Sequence, residues 1–247
     1  MNANSIKILE QGCASLDISL VPHSIDQFSR YISMLRLWNA RLNLISKDTE
    51  EEIVTRHILD SLVLCAYHPA GFSLASRHII DAGSGAGFPG IPLAIIEPSL
   101  QVTFVEARLK RATFIREAVT ALGIHHAAVE PERLENLSHR EEYREQYNLV
   151  CVRALAGLDI LAELCLPFIT IGGYLIAFKA AGINNEMESA AYAMRLLGAD
   201  EPEIFEFKVP CSDISRVLLF YKKISQSPAK YPRRAGIPEK RPLMPPH

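Results

Sequence analysis

An apolar run, Ile79-Ile80, ends on Asp81, and the chain then reads Ala82-Gly83-Ser84-Gly85-Ala86-Gly87-Phe88-Pro89-Gly90. Glycine at three alternating positions lets backbone N–H groups approach a bound molecule with no Cβ in the way. The proline after them can open a helix, whose free N–H donors and positive dipole end would face the same molecule. Such a turn joins a strand to a helix and binds a nucleotide-like cofactor.

The glycines admit two ligands. Gly85, Gly87 and Gly90 satisfy G-x-G-x-x-G, which sets a dinucleotide pyrophosphate against a helix start and implies an NAD-dependent oxidoreductase. Asp81 through Gly87 equally read acid-x-Gly-x-Gly-x-Gly, which resembles the first motif of S-adenosylmethionine-dependent methyltransferases. The amino-acid part of that cofactor carries an ammonium and a carboxylate and no phosphate. An aspartate at the strand end suits it better than it suits a pyrophosphate. A bare tight turn without a ligand is the plain alternative.

The 247 residues, 49% hydrophobic and 22% charged, describe an ordinary globular chain with enough apolar mass for a sizeable core. No apolar run approaches the roughly 20 residues of a membrane span, and no secretory signal opens the sequence. Cys13, Cys65, Cys151, Cys165 and Cys211 are scattered and never in C-x-x-C spacing, so they are expected reduced and buried, as in a cytoplasm. The eight histidines show no ligand spacing, and no metal is expected. Net charge is −2, yet Lys222 to His247 carry seven basic residues and one acid, leaving about −8 on the rest. A basic tail on an acidic body can contact phosphates locally; a solvated tail is the plain reading.

Residues 1–75 read as helices. Ser24 with Gln27 makes a capping box before a stripe of Ile25, Phe28, Ile32, Leu35 and Leu42. Thr49 with Glu52 makes a second, opening a helix to about Tyr67 that sets His57 and Asp60 on one face, with Arg56 beside them. From Arg77 onward strands alternate with helices. The strands fall at about 78–81, 102–106, 126–129, 149–152 and 174–178, the helices at 89–96, 109–122, a weaker 132–145, 158–168 and 185–197. That pattern implies right-handed crossovers and a parallel sheet. Two last strands, about 203–209 and 216–223, are joined too closely for a helix and should form an antiparallel hairpin. The expected fold is α/β: a class I, Rossmann-like methyltransferase sheet, mostly parallel, with an antiparallel final hairpin and an N-terminal helical extension. The divisions are 1–75 for the extension, 76–224 for the methyltransferase domain and 225–247 for the Pro-rich basic tail.

Ligands of such sheets lie beyond the carboxyl ends of the strands. Asp81, Gly83, Gly85 and Gly87 end the first strand, with Phe88 placed either to pack on the cofactor or to join the core. Glu106 ends the second, where a carboxylate accepts ribose hydroxyls of either cofactor. Leu134-Glu135 follow the third, for adenine; Arg153 ends the fourth and Lys179 the fifth. The fourth strand, Val150-Cys151-Val152-Arg153, carries neither the Asn/Asp-Pro-Pro-Tyr/Phe of amine methylation nor a Pro-Cys nucleophile, and alternation turns Cys151 into the core. The acceptor should therefore need little activation. Guanine N7, with an in-plane lone pair and no proton to lose, fits catalysis by alignment, and no general base is expected.

At this point the chain resembles a known family, the bacterial 16S ribosomal RNA guanine-N7 methyltransferases also called glucose-inhibited division protein B. Four segments carry the likeness: Trp38-Asn39 through Asn43-Leu44, Arg56-His57-Ile58-Leu59-Asp60-Ser61, Asp81 through Pro92, and Tyr231-Pro232-Arg233-Arg234-Ala235-Gly236-Ile237-Pro238-Glu239-Lys240-Arg241-Pro242-Leu243. The resemblance implies S-adenosylmethionine as cofactor, held by Gly83, Phe88, Leu134-Glu135 and Arg153. It implies as partner one guanine of 16S rRNA within the small ribosomal subunit. The cysteines point to the cytoplasm, composition and spacing to no membrane or metal, and a monomer is the default expectation. Glu106 stands where many members have aspartate, which keeps the carboxylate. His57, Asp60 and Lys179 become cleft residues, and Arg41, His57, Lys179, Arg233, Arg234 and Lys240 become candidates for RNA contact. A nucleotide-binding regulator without catalysis is the non-enzymatic alternative.

Overall fold

The computed structural model describes residues 1–245. Strand-forming segments dominate the middle of the chain: β1 (His78–Ala82), β2 (Gln101–Val105), β3 (Ala127–Glu130), β4 (Tyr147–Arg153), β5 (Ile169–Ala180), β6 (Glu203–Lys208) and β7 (Ser215–Lys222). They form one sheet in the order β3-β2-β1-β4-β5-β7-β6. All neighbours run parallel except β7, which is antiparallel to both β5 and β6. The expected hairpin is therefore present, with its last strand inserted beside β5. The central strands are apolar almost throughout because both sheet faces are covered.

Period-two alternation divides the core. Ile79, Phe104, Leu149, Cys151, Ile176 and Phe178 face one side. Ile80, Val105, Val150, Val152, Leu175 and Ala177 face the other. Helices α1 (Ala3–Ser15), α2 (Pro22–Leu42) and the segment after them bury Leu9, Phe28, Ile32, Ile58 and Leu62 on the first side. Two sheet helices, α5 (Gly90–Ile96) and α6 (Leu109–Ala121), join them there. The N-terminal helices thus share one core with the sheet.

The Thr49–Glu52 capping box forms as expected, but the helix it opens is not uniform. It begins as α3 (Glu50–Ile53), widens to π-helical turns over Val54–Leu59, resumes as α4 (Asp60–Leu62) and tightens over Val63–Cys65. The Ser24–Gln27 box does not form. Pro22, with its preset φ, starts α2 one turn earlier, and Gln27 instead donates to the Leu122 carbonyl at 2.7 Å.

In the weak 132–145 segment only α7 (Leu134–Leu137) is helical. Arg144 there donates to the carbonyls of Tyr231 (2.9 Å) and Ser227 (3.0 Å), so it ties down the C-terminal segment instead of extending a helix. The second face is covered by α8 (Leu158–Cys165), α9 (Asn184–Leu196) and that C-terminal segment, which contributes Tyr231, Leu243 and the short α10 (Ile237–Lys240). The last two residues of the expected tail lie outside the described residues. Cys13, Cys151 and Cys165 are buried as expected, but Cys65 is half-buried and Cys211 exposed; all five are free.

Candidate functional site

The glycine turn is fastened to β2 from below. Gly83 and Ser84 N–H both donate to the Val105 carbonyl, at 2.9 and 3.1 Å. Glu106 accepts from Gly85 N–H on Oε2 (2.9 Å) and from Arg108 N–H on Oε1 (2.8 Å). Each oxygen keeps a lone pair for a ligand hydroxyl. Gly85 holds φ +59° and nothing crowds the place where a Cβ would stand, so this stretch of backbone is open to a ligand. Only glycine adopts that conformation at no cost.

Asp81 is wholly buried beneath the turn, not on the cleft wall where a ligand's ammonium was expected to find it. Its Oδ2 accepts from Gly90 N–H at 3.0 Å, tethering the first residue of α5. Its Oδ1 has no partner among the described residues. Burial pushes the carboxyl up from 3.8 to about 7 against the opposing pull of Gly90 N–H and Arg153. A raised folded-state value means the stability contribution is complete below the ordinary carboxylate value and is lost as pH rises through about 7. Asp81→Asn should therefore melt progressively higher than the parent as pH climbs across that window. A pH-independent difference between the two melting curves would show that Asp81 is ionised throughout.

Phe88 is nearly buried and sits at the centre of a cluster the sequence did not foretell. His57 stacks on it with centroids 5.1 Å apart, Tyr31 packs at 5.4 Å, and the Arg153 guanidinium lies 4.8 Å from its ring centre. Tyr31 also donates to the Ala86 carbonyl at 2.6 Å, so α2 grips the glycine turn directly. Arg153 donates from Nη1 to Asp60 Oδ2 (3.0 Å), and its Nη2 lies 3.2 Å from His57 Nδ1. A guanidinium can only donate, so Nδ1 accepts, and the proton on Nε2 goes to Asp48 Oδ2 at 2.9 Å. Burial and the nearby Arg153 hold the His57 pKa below its ordinary value, consistent with this neutral tautomer.

Beyond Arg153 opens a cleft of about 330 Å³, walled by Arg56, His57, Asp60, Arg153, Ala154, Phe178, Lys179 and Arg216. Lys179 reaches this wall but is committed to Glu186 (2.6 Å) and the Ala156 carbonyl (2.8 Å), so it holds the loop after β4 and is not free for a phosphate. Tyr31, Asp48 and Arg216 were missed. Arg216 was legible in principle: it pairs with Ala180 because an antiparallel β7 starts where β5 ends.

Leu134 and Glu135 begin α7, and the Glu135 carboxylate accepts from Gly236 N–H at 2.9 Å. Arg233 does not reach outward: its Nε and Nη2 clamp the buried Glu163 carboxylate at 2.9 and 2.6 Å, and its backbone N–H adds a third bond to the same group. Arg41, Arg234 and Lys240 do stand exposed. Among the described residues no group of three or more His, Cys, Asp and Glu could hold a metal, and no helix is long and apolar enough to cross a membrane.

The profile of the family described as rRNA small subunit methyltransferase G (GidB) matches residues 24–215, well over half the chain. The chain belongs to this family. Proteins named ribosomal RNA small subunit methyltransferase G are similar over nearly their whole length. The one from Acetivibrio thermocellus is 37% identical over 96% of both chains. The one from Thermoanaerobacter pseudethanolicus is 38% identical over 98% of this chain and all of the relative. A predicted O-methyltransferase from Agrobacterium tumefaciens shares the fold, with TM-score 0.52 and 20% identity over 68% of this chain and 80% of that one. For a GidB member the dinucleotide reading of Gly85, Gly87 and Gly90 falls. Gly90 serves packing instead: a Cβ there would stand 2.5 Å from Phe104 and 2.8 Å from the Asp81 carboxylate.

Proposed function

We propose that this GidB-family enzyme transfers a methyl group from S-adenosylmethionine to N7 of one guanine in 16S rRNA of the small ribosomal subunit, acting as a cytoplasmic monomer. The observation that carries the reading is the Arg153–Phe88–His57 cluster, which joins the glycine turn to a basic cleft at the carboxyl ends of β4 and β5. The open backbone at Gly85 and the spare acceptors of Glu106 suit the polar ends of the cofactor, and the backbone at Leu134-Glu135 suits its adenine. S-adenosylmethionine, when bound, supplies an electrophilic methyl group on a sulfonium.

The chain's own contribution is alignment. Phe88 is fixed from three sides by Tyr31, His57 and Arg153, so it forms a rigid wall between the cofactor turn and the cleft. Guanine N7 has no proton to lose, and the neutral His57 has both ring nitrogens engaged, so it serves to orient Arg153 and not as a base. Residues 1–75 act as the part that grips the turn, 76–224 as the catalytic domain, and 225–247 as a strap whose exposed Arg234 and Lys240, with Arg41 on α2, lie against rRNA phosphates.

The decisive experiment incubates purified protein with methyl-labelled S-adenosylmethionine and small subunits that lack the modification, then identifies the labelled nucleoside. Label in 7-methylguanosine at a single position is expected. Cofactor binding without transfer to any RNA would favour the non-enzymatic regulator, and label in another nucleoside would overturn the N7 assignment.

A further inference from the structure

Arg56, Arg153, Lys179 and Arg216 line the cleft beyond Phe88, and they are not equally spent. Lys179 is committed to Glu186 and Arg56 to Asp48 and Glu52, whereas Arg153 and Arg216 share the single carboxylate of Asp60. Asp60 is buried and splits its two oxygens between two arginines: Oδ2 accepts from Arg153 Nη1 at 3.0 Å, and Oδ1 accepts from Arg216 Nε at 3.3 Å. That division aims the two guanidiniums differently. Arg153 is turned inward over Phe88, with its side chain 14% exposed, whereas that of Arg216 is 32% exposed.

Nε is the only Arg216 side-chain donor with a partner among the described residues, and the two Nη groups are unclaimed. A planar fork anchored at Nε by a carboxylate, with both Nη groups free, is preset for bidentate recognition of a phosphate. Arg56, also in the cleft lining, is half exposed and paired with Asp48 and Glu52. Ala154, Phe178 and Ala180 contribute apolar lining to the same cleft. About 330 Å³ is at the small end of ligand pockets, suited to one extruded nucleotide and not to a duplex.

We infer that this cleft is the subsite for the target nucleotide, with Arg216 gripping the backbone phosphodiester beside the guanine to be methylated and Asp60 acting as the positioning residue that fixes the Arg216 fork. The inference rests on the function proposed above and assigns a part of the RNA to one side chain. Arg216 then acts on RNA binding and leaves cofactor affinity alone.

The test compares the full-length parent with Arg216→Ala and Arg216→Lys, using unmodified small subunits at saturating S-adenosylmethionine over 50 to 200 mM KCl. For Arg216→Ala, kcat/KM should fall about tenfold, carried by KM. One lost phosphate contact on a single strand should also flatten log kcat/KM against log salt by about 0.7. Arg216→Lys should restore the salt slope, since the charge remains, but not the full KM, since the fork is lost. Cofactor affinity by calorimetry should stay within twofold for both. An unchanged KM and slope in a folded variant would overturn the inference, as would a loss of cofactor affinity equal to the rise in KM. If Arg216→Ala does not fold, the lysine variant decides through the split between slope and KM. If the parent transfers no methyl to the subunits, the proposed function has failed first. Salt-dependent binding of parent and variants to the same subunits then decides the phosphate contact separately.

Discussion

Arg153→Ala should lower kcat for methylation of unmodified small subunits by roughly 100-fold, the scale at which misplacement of reacting groups by about an ångström acts. The substitution removes the donor to Asp60, the donor to His57 Nδ1 and the cation above Phe88 together. Phe88 would then lose one of the three groups that fix it. His57 would lose the partner that sets its ring orientation, with only Asp48 remaining. Arg153→Lys should do little better, because a single ammonium cannot reach Asp60, His57 and the Phe88 face at once. Steady-state kinetics with a parallel melting curve separates the effects. A loss of kcat in a protein that melts near the parent temperature marks positioning, whereas a kcat within threefold of the parent would reduce Arg153 to a structural ion pair.

Arg233→Ala should destabilise the protein by about 3 kcal/mol, the lower end of the range for breaking a buried pair, because the arginine is 28% exposed while Glu163 is 1% exposed. For a chain of this size that corresponds to a drop in Tm of about 6–12 °C. The cause is the charge left behind: Glu163 would keep only the backbone N–H of residue 233. Arg233→Ala combined with Glu163→Gln should recover much of the loss, since a neutral amide costs far less to bury. Scanning calorimetry of the two variants checks this. Equal destabilisation by the single and double changes would mean the strap is held mainly by Tyr231 and Leu243. Only exposed residues such as Arg234 and Lys240 can report on RNA contact without this confounding loss of fold.

Much of the architecture was legible because the signals are local. Apolar runs bounded by turn residues located the strands, the short link before Ser215 excluded a helix and required a hairpin, and alternation sent Cys151 to the core. What misled was also local. Ser24 and Gln27 have the spacing of a capping box, but Pro22 starts α2 upstream and both side chains are buried against neighbours. The tail reads as a phosphate-binding arm because charge counts do not reveal whether a carboxylate 70 residues away has claimed the arginine, as Glu163 claims Arg233.

The sequence by itself determined the chemistry available: a glycine turn after Asp81, carboxylates and cations at strand ends, and the family through four ordered segments. The tertiary structure alone decided how those groups are spent. Asp81 went under the turn, Lys179 to Glu186, and Arg153 to a cluster built with Tyr31, His57 and Asp60 from the N-terminal helices. Motif spacing encodes which side chains lie on one face over a turn or two. Ion pairs and ring stacking between separate elements depend on the packed geometry, and desolvation on that packing sets which charges remain free to meet a substrate.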